Sequence, residues 1–315
     1  MTDNKNFDVI IIGGSYSGLS AAMALGRALR KVMVIDSGIP CNRQTPHSHN
    51  FITQDGKTPQ EIASLAKEQV AKYETVKFHD DLATSGIKTE NSFEIKTESG
   101  NTFTGKKLIF ATGITDLPPN IKGFSDCWGI SVLHCPYCHG YEVRNEKTAI
   151  IGNGEFAFEF CKMISNWTRD LQIFTNGKSM LTEEQVEKIN MHNIEIIETE
   201  IDSFEHHNGQ IKNIVLKDNL KVAVKAAYAR PPFVQHCGIP AALGCELEEH
   251  GLLKVDPWQK TNVAGIFATG DNSTLMRSVA LSVASGSIAG AAVNKELIEE
   301  QFSNVRDLTS VSMQG

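Results

Sequence analysis

The sequence has no apolar run long enough to cross a bilayer and no excess of basic residues. Residues 278–293, the longest weakly polar stretch, contain three interior serines and fall short of the roughly 20 apolar residues that a membrane helix needs. We interpret this stretch as a buried helix whose small residues allow close packing. Lys and Arg number 30 against 37 Asp and Glu, a net charge of -7, which disfavours nucleic-acid binding. The polar start shows no signal-peptide pattern, so we expect a cytoplasmic protein that binds neither membrane nor nucleic acid.

Cysteines are few and odd in number, with seven in 315 residues. A scattered, odd set without an export signal argues against a framework of structural disulfides. Only Cys135 and Cys138 form a C-x-x-C motif. Zinc binding would need a second pair or histidines at ligand spacing. Cys127, His134 and His139 keep a zinc site open as an alternative, although we expect no metal.

The chain does contain a strand, glycine turn and helix pattern that occurs twice. Residues 7–12 form a continuous apolar run, typical of a parallel strand buried on both faces. A glycine turn, an alanine-rich helix and a strand ending at Asp36 follow. The same order starts again at Thr148, and this repeat predicts an α/β fold with two Rossmann-like domains. Further along, Thr182 and Gln185 have the spacing of a capping box that starts a helix.

The first glycine turn has the features of a dinucleotide-binding turn. A strand that turns sharply into a helix directs backbone N–H groups and the positive end of the helix dipole at one point, where a pyrophosphate fits. Gly13, Gly14 and Gly18 allow the tight turn and close approach, while Ser15 replaces the middle glycine of the fingerprint. Asp36, at the end of the next strand, is placed to bind ribose hydroxyls.

Two later strands also end in glycine. Each ending is a weak signal by itself, but both follow the first glycine turn in the order expected for turns beside one cofactor. If that cofactor is a flavin, Asp271 can hold its ribityl chain. The turns are Ala111, Thr112 and Gly113 after one strand and Gly270 and Asp271 after the other.

The cysteine pair lies between the two βαβ units, within residues 134–142. Two cysteines three apart can close and reopen a small disulfide, and such pairs often have lowered thiol pKa values. Adjacent histidines could accept a thiol proton near neutral pH. Glutaredoxins also contain Cys-Pro-Tyr-Cys, but as small stand-alone domains. Cys135, Cys138 and His139 are therefore the candidate catalytic residues of a thiol–disulfide exchange.

Together these motifs resemble those of the low-molecular-weight thioredoxin reductase-like flavoproteins over about residues 6–297. Residues 135–142, Cys-Pro-Tyr-Cys-His-Gly-Tyr-Glu, are most similar to the branch that contains the dithiol oxidases of gliotoxin, holomycin and romidepsin biosynthesis. The resemblance implies FAD, a homodimer and domains of three layers (ββα). It implies a discontinuous FAD domain, residues 1–116 and 247–315, with an inserted NAD(P)-type domain, residues 117–246, that carries the C-x-x-C motif.

The resemblance also implies roles for single residues. Cys138 would face the flavin and Cys135 would exchange with the substrate. His139 stands where true thioredoxin reductases carry an acid–base Asp. Besides the first glycine turn and residues 111–113, the residues implied at FAD are Asn50, Gly270, Asp271, Arg277, Ser278 and Val279, the last three near the polar edge of the flavin ring.

The second glycine turn departs from the family pattern. Gly152, Gly154 and Ala157 are the candidate nicotinamide-site residues, but Phe156 puts a bulky ring where a small residue is usual. Family members bind the 2′-phosphate of NADPH with a basic cluster after the next strand. Residues 174–178 offer only one lysine, so NADPH binding stays open.

Three functions fit the sequence. The first is an FAD-dependent dithiol oxidase that passes electrons to O2 or another acceptor. The second is a disulfide reductase, driven by NADPH or another donor, that acts on a small disulfide or a thioredoxin-like protein. The third is a non-catalytic flavoprotein that uses the cysteine pair as a redox sensor.

Overall fold

In the computed structural model, which describes residues 5–311, the chain forms two compact units. The first contains the chain up to Arg43, Gln60–Thr115 and the chain from Val234 onward; the second contains Gln44–Pro59 and Asp116–Phe233. An inserted unit was predicted, but its bounds differ in two places. Residues 44–59 group with the second unit, and residues 234–246 group with the first.

The helices of the described residues include one long C-terminal helix and several single turns. They are α1 (Tyr16–Arg27), α2 (Pro59–Ala71), α3 (Phe124–Cys127), α4 (Pro136–His139), α5 (Gly154–Ile164), α6 (Glu183–Met191), α7 (Ile239–Ala242) and α8 (Val279–Val311).

The strands occur in both units. They are β1 (Asn6–Ile12), β2 (Val32–Asp36), β3 (Val76–Asp80), β4 (Ala83–Lys88), β5 (Phe93–Thr97), β6 (Thr102–Phe110), β7 (Ile114–Asp116), β8 (Val132–Leu133), β9 (Thr148–Ile151), β10 (Leu171–Phe174), β11 (Glu195–Ile197), β12 (Ile201–His207), β13 (Gln210–Leu216), β14 (Lys221–Ala223), β15 (Ala226–Ala229), β16 (Phe233–Gln235) and β17 (Ile266–Ala268).

A seven-stranded sheet forms the centre of the first unit, in the order β3-β2-β1-β6-β5-β4, with β17 also paired to β6. β3, β2, β1, β6 and β17 are parallel, so their carboxyl ends meet at one edge. Val9 and Ile11 belong to the core cluster shared with α1 and α8, whereas Ile10 and Ile12 cluster with β5. Burial on both faces explains the continuous apolar run of β1.

The small residues of α8 let it approach α1 closely, as predicted. A Cβ added to Gly286 would lie 2.1 Å from the carbonyl oxygen of Ser17, and one added to Gly290 would lie 2.8 Å from that of Ala21. Such distances leave no room for a side chain. The contact fixes α1, and with it the first glycine turn, against α8.

The second unit has three layers. Its central parallel sheet, β11-β10-β9-β15-β8, lies between α5 and α6 on one face and the antiparallel sheet β12-β13-β14 on the other. Alternation along β15 explains the two faces: Ala227 and Ala229 cluster with the small sheet, while Ala226 and Tyr228 cluster with the helices. The predicted pair of Rossmann-like α/β folds is confirmed.

Among residues 5–311, no helix is both long and apolar enough to span a membrane. This covers α8, where serine and glycine interrupt the apolar residues.

Candidate functional site

The first glycine turn joins β1 to α1 and accepts no side chain. Gly13 has a φ of 103°, and a Cβ there would lie 2.2 Å from the carbonyl oxygen of Ala111. A Cβ on Gly18 would lie 1.9 Å from the carbonyl oxygen of Gly13. Glycine is therefore required at both positions, because the opposing atoms belong to the backbone.

Asp36 holds the turn from the adjacent strand. The Gly14 N–H donates to Asp36 Oδ1 at 3.0 Å. Ser15 is the N-cap residue of α1, yet its side chain makes no capping hydrogen bond, and the first turn contains no acidic residue. The positive end of this helix is therefore available to an anion.

The end of β6 lies beside the first turn through residues 111–113. Asn272 is fully buried there, and its Nδ2 donates to the Phe110 carbonyl at 2.8 Å and to Thr112 Oγ1 at 3.3 Å. Within the described residues, Asn272 Oδ1 has no hydrogen-bond partner. Gly113 has a φ of 64°, and a Cβ there would meet nothing within 4 Å. This edge therefore has both space and an unused acceptor.

The end of β17 reaches the same turn. Gly270 has a φ of 85°, and a Cβ there would lie 2.6 Å from Ser17 Oγ. Asp271 forms an ion pair with Arg277, with 3.5 Å between Oδ2 and Nε. Ser278 Oγ accepts from the Leu281 N–H at 3.1 Å, and α8 then begins at Val279. The structure thus brings Gly270 to the first glycine turn, with Asp271 and Arg277 paired beside it.

The cysteine pair lies at the start of α4 in the second unit. Cys135 is the N-cap residue, Pro136 takes the first helical position, and Cys138 follows within the same turn. Both cysteines are half-buried. Gly140 ends the turn, and a Cβ there would lie 2.5 Å from the Pro136 carbonyl oxygen and 2.9 Å from the Trp167 ring. Close packing behind the turn therefore leaves no room for a side chain at Gly140.

His139 lies in an array of polar side chains that the sequence did not predict. Its ring is 6.3 Å, edge to face, from the ring of His49. His49 Nε2 lies 3.6 Å from Glu142 Oε1, and its Nδ1 lies 3.6 Å from Asp55 Oδ1. Burial lowers the pKa of His139, repulsion from His49 lowers it further, and Glu142 opposes both effects. His139 is thus a neutral imidazole at pH 7 and can accept a proton.

The loop of residues 44–59 positions His49. Asn50 adopts a φ of 59°, and its N–H donates to Asp55 Oδ1 at 2.8 Å. His47 Nδ1 lies 3.0 Å from the Gly56 carbonyl oxygen. The sequence carries no signal for the contact between this loop and the cysteine segment, because about 90 residues separate them and no shared periodicity links them.

The second glycine turn is filled by side chains of the protein. A Cβ on Gly152 would lie 2.5 Å from the ring of Phe156, so this ring lies directly over the turn. Phe156 also packs on Phe160, with 4.8 Å between ring centroids, and the Arg230 guanidinium lies 5.6 Å from its centroid. Ala157 is fully buried beneath.

Asn153 occupies the N-terminus of α5. Its Oδ1 accepts from the Gly154 N–H at 2.9 Å and from the Met180 N–H at 2.7 Å, and its Nδ2 donates to the Lys178 carbonyl at 2.9 Å. Glu155 adds a negative charge to the first turn of the helix. The Gly154 N–H at the start of α5 is thus bonded to Asn153, and the Glu155 carboxylate disfavours an anion at this helix end.

No metal-binding group accompanies these sites in the part of the chain that the structure describes. Among those residues, no three His, Cys, Asp or Glu side chains are grouped so that they could hold a metal ion. Cys127 is fully buried, and burial raises its pKa, as expected of a small core residue.

Comparison with known proteins identifies the family. A family model described as pyridine nucleotide-disulphide oxidoreductase matches residues 7–286. The chain belongs to this family. It is therefore an FAD-dependent oxidoreductase, and the predicted flavin cofactor and resemblance to thioredoxin reductase-like flavoproteins are confirmed.

Individual relatives and solved structures are similar to this chain along nearly their whole length. Thioredoxin reductase tcpT of Claviceps purpurea is 29% identical over 313 residues, covering 95% of this chain and 97% of the relative. The crystal structure of an oxidoreductase from Agrobacterium tumefaciens has a TM-score of 0.88 at 35% identity, covering 93% of this chain and 99% of that chain. The crystal structure of HlmI has a TM-score of 0.93 at 27% identity and covers 99% of both chains.

The residues of the first unit fit the FAD that this family uses. The uncapped start of α1 suits a pyrophosphate, and the glycines at Gly13 and Gly18 admit close approach. The space above Gly113 and the unused Oδ1 of Asn272 lie at the same edge of the sheet. The second glycine turn has no such open space at Gly152, because Phe156 lies over it.

Proposed function

We propose that this flavoprotein is a dithiol oxidase that uses Cys135 and Cys138. The observation that supports this direction of electron flow is the filled second glycine turn, where Phe156 covers Gly152 and Asn153 caps α5. An oxidase receives its electrons from the thiol substrate, so it needs no NADPH. The absence of a basic cluster in residues 174–178 supports the same direction.

We also propose that the first unit is the FAD domain and that the second is an NAD(P)-type fold kept for the cysteine pair. Asp36 would bind ribose hydroxyls, and the first turn would hold the pyrophosphate. Asn50 and residues 277–279 keep their proposed roles at the flavin. The residues that would hold FAD are Gly13, Gly14, Ser15, Gly18, Asp36, Asn50, Ala111, Thr112, Gly113, Gly270, Asp271, Arg277, Ser278 and Val279.

The thiol chemistry follows from the geometry of α4. A substrate thiolate attacks the sulfur of Cys135 in the Cys135–Cys138 disulfide, and Cys138 leaves as a thiolate. The second thiolate of the substrate then attacks the substrate sulfur of the mixed disulfide, and Cys135 leaves with the electron pair. The substrate ends as a disulfide and the cysteine pair as a dithiol. FAD would supply the two-electron acceptor that restores the cysteine disulfide, with O2 or another compound as the final acceptor.

His139 would handle the protons of this exchange. Each substrate thiol must lose a proton before it attacks, and a neutral imidazole beside the cysteine pair can accept it. Burial keeps the pKa of His139 low enough for the neutral form at pH 7. Glu142 and His49 lie close enough to adjust this pKa in opposite directions.

Anaerobic reduction of the purified protein tests the proposal. NADPH, NADH and dithiothreitol are added separately, and the loss of visible flavin absorbance is followed. We expect only the dithiol to bleach the flavin, air to restore the colour, and Cys135→Ser to abolish the dithiol reaction. Bleaching by NADPH at catalytic speed would overturn the oxidase direction.

One observation favours a second function, a disulfide reductase that acts on a thioredoxin-like protein: relatives that match most of this chain carry the name thioredoxin reductase. A coupled assay with thioredoxin and a chromogenic disulfide measures it directly. Turnover that depends on added NADPH would support the reductase and contradict the oxidase.

We further propose a homodimer that works in the cytoplasm. Ile288, Ile298 and Phe302 of α8 are exposed apolar side chains on one side of the helix, which supports an interface there. The odd number of scattered cysteines fits a reducing compartment. Light scattering after size-exclusion chromatography should give twice the mass of the chain, and cell fractionation should recover the protein with cytoplasmic markers.

A further inference from the structure

Tyr228 is a fully buried tyrosine in the middle of β15. It is 1% exposed and lies in a cluster of apolar residues on the helix side of the second unit. Its ring meets that of Phe160 edge to face, with 6.1 Å between centroids. Phenylalanine would fill the same space without placing a polar atom in the core.

The hydroxyl of Tyr228 has no hydrogen-bond partner within the part of the chain that the structure describes. A buried polar group without a partner destabilises the folded state. Buried tyrosines usually place their hydroxyl against a partner. The unpaired hydroxyl of Tyr228 therefore needs a reason other than packing.

The position of Tyr228 in the sheet supplies that reason. β15 runs parallel to β8, and Tyr228 pairs with Leu133. Cys135 follows Leu133 by two residues and caps α4. Burial raises the pKa of Tyr228, and electrostatic repulsion from Cys135, Glu142 and Cys138 raises it further. The phenol is thus a permanently protonated donor within electrostatic reach of the cysteine pair.

We propose that the Tyr228 hydroxyl donates a hydrogen bond to the Cys135 sulfur when that sulfur becomes a thiolate. The inference rests on the proposed exchange role of Cys135. When the substrate closes its own disulfide, the bond between Cys135 and the substrate breaks and the electron pair stays on Cys135. The phenol keeps its proton and stabilises this charge, which is largest as the bond breaks. Tyr228 would then be a catalytic residue, because the proposed hydrogen bond reaches a reacting atom.

Other charged and titratable groups lie close to Cys135 along the chain. Cys138 and His139 belong to the same turn, His134 precedes the pair, and Glu142 follows it. Glu142 repels a thiolate, whereas Tyr228 is a neutral donor whose effect does not change with pH below its own raised pKa. A test must therefore isolate the hydroxyl while leaving these groups in place.

The substitution Tyr228→Phe removes only the hydroxyl. In a Cys138→Ser background, Cys135 is the single thiol of the pair, and its alkylation by iodoacetamide can be followed by peptide mass spectrometry across pH. We expect Tyr228→Phe to move the midpoint of this pH profile upward and to slow alkylation at the acid end about tenfold, the effect of losing one hydrogen bond to a charged atom. In the otherwise unmodified enzyme, we expect kcat to fall about tenfold with a smaller change in KM.

Matched controls separate this role from packing. Tyr137→Phe and Tyr141→Phe remove hydroxyls from two exposed tyrosines beside the same motif, and neither should move the alkylation midpoint. The melting temperature of Tyr228→Phe should stay level or rise, because an unpaired hydroxyl leaves the core. An unchanged alkylation profile in a folded Tyr228→Phe protein would overturn the proposal.

The alkylation assay needs no turnover, so the two proposals fail separately. If Tyr228→Phe shifts the profile in a protein without dithiol oxidase activity, the hydrogen bond stands and the proposed function falls. If oxidase activity is present and the profile does not move, the oxidase stands and Tyr228 is a core residue only.

Discussion

The two glycine turns of this chain share a plan and differ in what fills them. At the first, no side chain caps α1, and Asp36 holds the turn from the neighbouring strand. At the second, Asn153 caps α5 and Phe156 covers Gly152. The difference teaches that a glycine turn offers an anion site only if the protein leaves the helix N-terminus unused.

The largest expected effect comes from alanine at the first turn. Gly18→Ala would place a Cβ 1.9 Å from the Gly13 carbonyl oxygen, which is backbone and cannot move aside. We expect loss of FAD and destabilisation by several kcal/mol. In Gly152→Ala, the new Cβ would clash only with the ring of Phe156. Because this side chain can rotate away, the variant should keep its FAD. The ratio of flavin to protein absorbance and thermal melting measure both; equal flavin loss in the two variants would remove the contrast.

Opening the second turn is the next test. The double variant Asn153→Gly with Phe156→Ala removes the cap and the covering ring, so we expect NADPH to bind at least about tenfold more tightly, roughly 1.4 kcal/mol. Titration calorimetry measures the change. Phe158→Ala, on the same helix but away from Gly152, is the control. Failure to gain affinity would show that the missing basic cluster, rather than the filled turn, excludes the nucleotide.

A smaller effect concerns proton transfer in the second unit. His139 must be neutral to accept a proton, so dithiol oxidation should fall as pH drops below the usual histidine range. His49→Gln should move this acid limb to higher pH and Glu142→Gln to lower pH, because His49 lowers and Glu142 raises the pKa of His139. We expect the rate of dithiol oxidation at the acid end to change about threefold in each variant. The change should be the same with and without NADPH. If both variants moved the acid limb in the same direction, His49 and Glu142 would not act on the pKa of His139 in opposite ways, and this account of the array would be wrong.

The same shift makes stability depend on pH. The folded-state pKa of His139 lies below its unfolded value, so the unfolded chain binds the proton more readily. The stability associated with neutral His139 is complete above pH 6.5 and is lost as pH falls through the folded-state pKa. Urea melts of the wild type and of His139→Asn across this range should differ in slope, with the wild type falling more steeply.

The smallest effect is expected behind the second turn, at Cys161 of α5. Burial raises the pKa of this thiol to about 11, so it should not react with iodoacetamide at neutral pH while the protein is folded. Cys161→Ala should cost about 1–2 kcal/mol of stability through a small cavity and leave dithiol oxidation unchanged. Mass spectrometry and thermal melting check the two parts. Altered turnover would contradict a purely structural role for Cys161.

Local patterns explain how much of the fold the sequence predicted. The strand–glycine–helix repeats predicted both Rossmann-like folds. Burial on both faces of a parallel strand requires a continuous apolar run, which can be recognised in the sequence. The predicted capping box is confirmed, with the Gln185 N–H donating to Thr182 Oγ1 at 3.2 Å and the Thr182 N–H donating to Gln185 Oε1 at 3.0 Å. Unit bounds were less accurate, since residues 44–59 join the second unit through contacts that no local pattern encodes.

By itself, then, the sequence determined the family fold, the first glycine turn and the cysteine pair, since each depends on residues that are near one another along the chain. Only the tertiary structure brought His49 to His139 and laid Phe156 over Gly152. It also placed Tyr228 in the core beside β8, the strand that leads to the cysteine pair. These contacts depend on strand register and loop packing between distant segments. Their energies come from burial and charge in three dimensions, which spacing along a single chain does not specify.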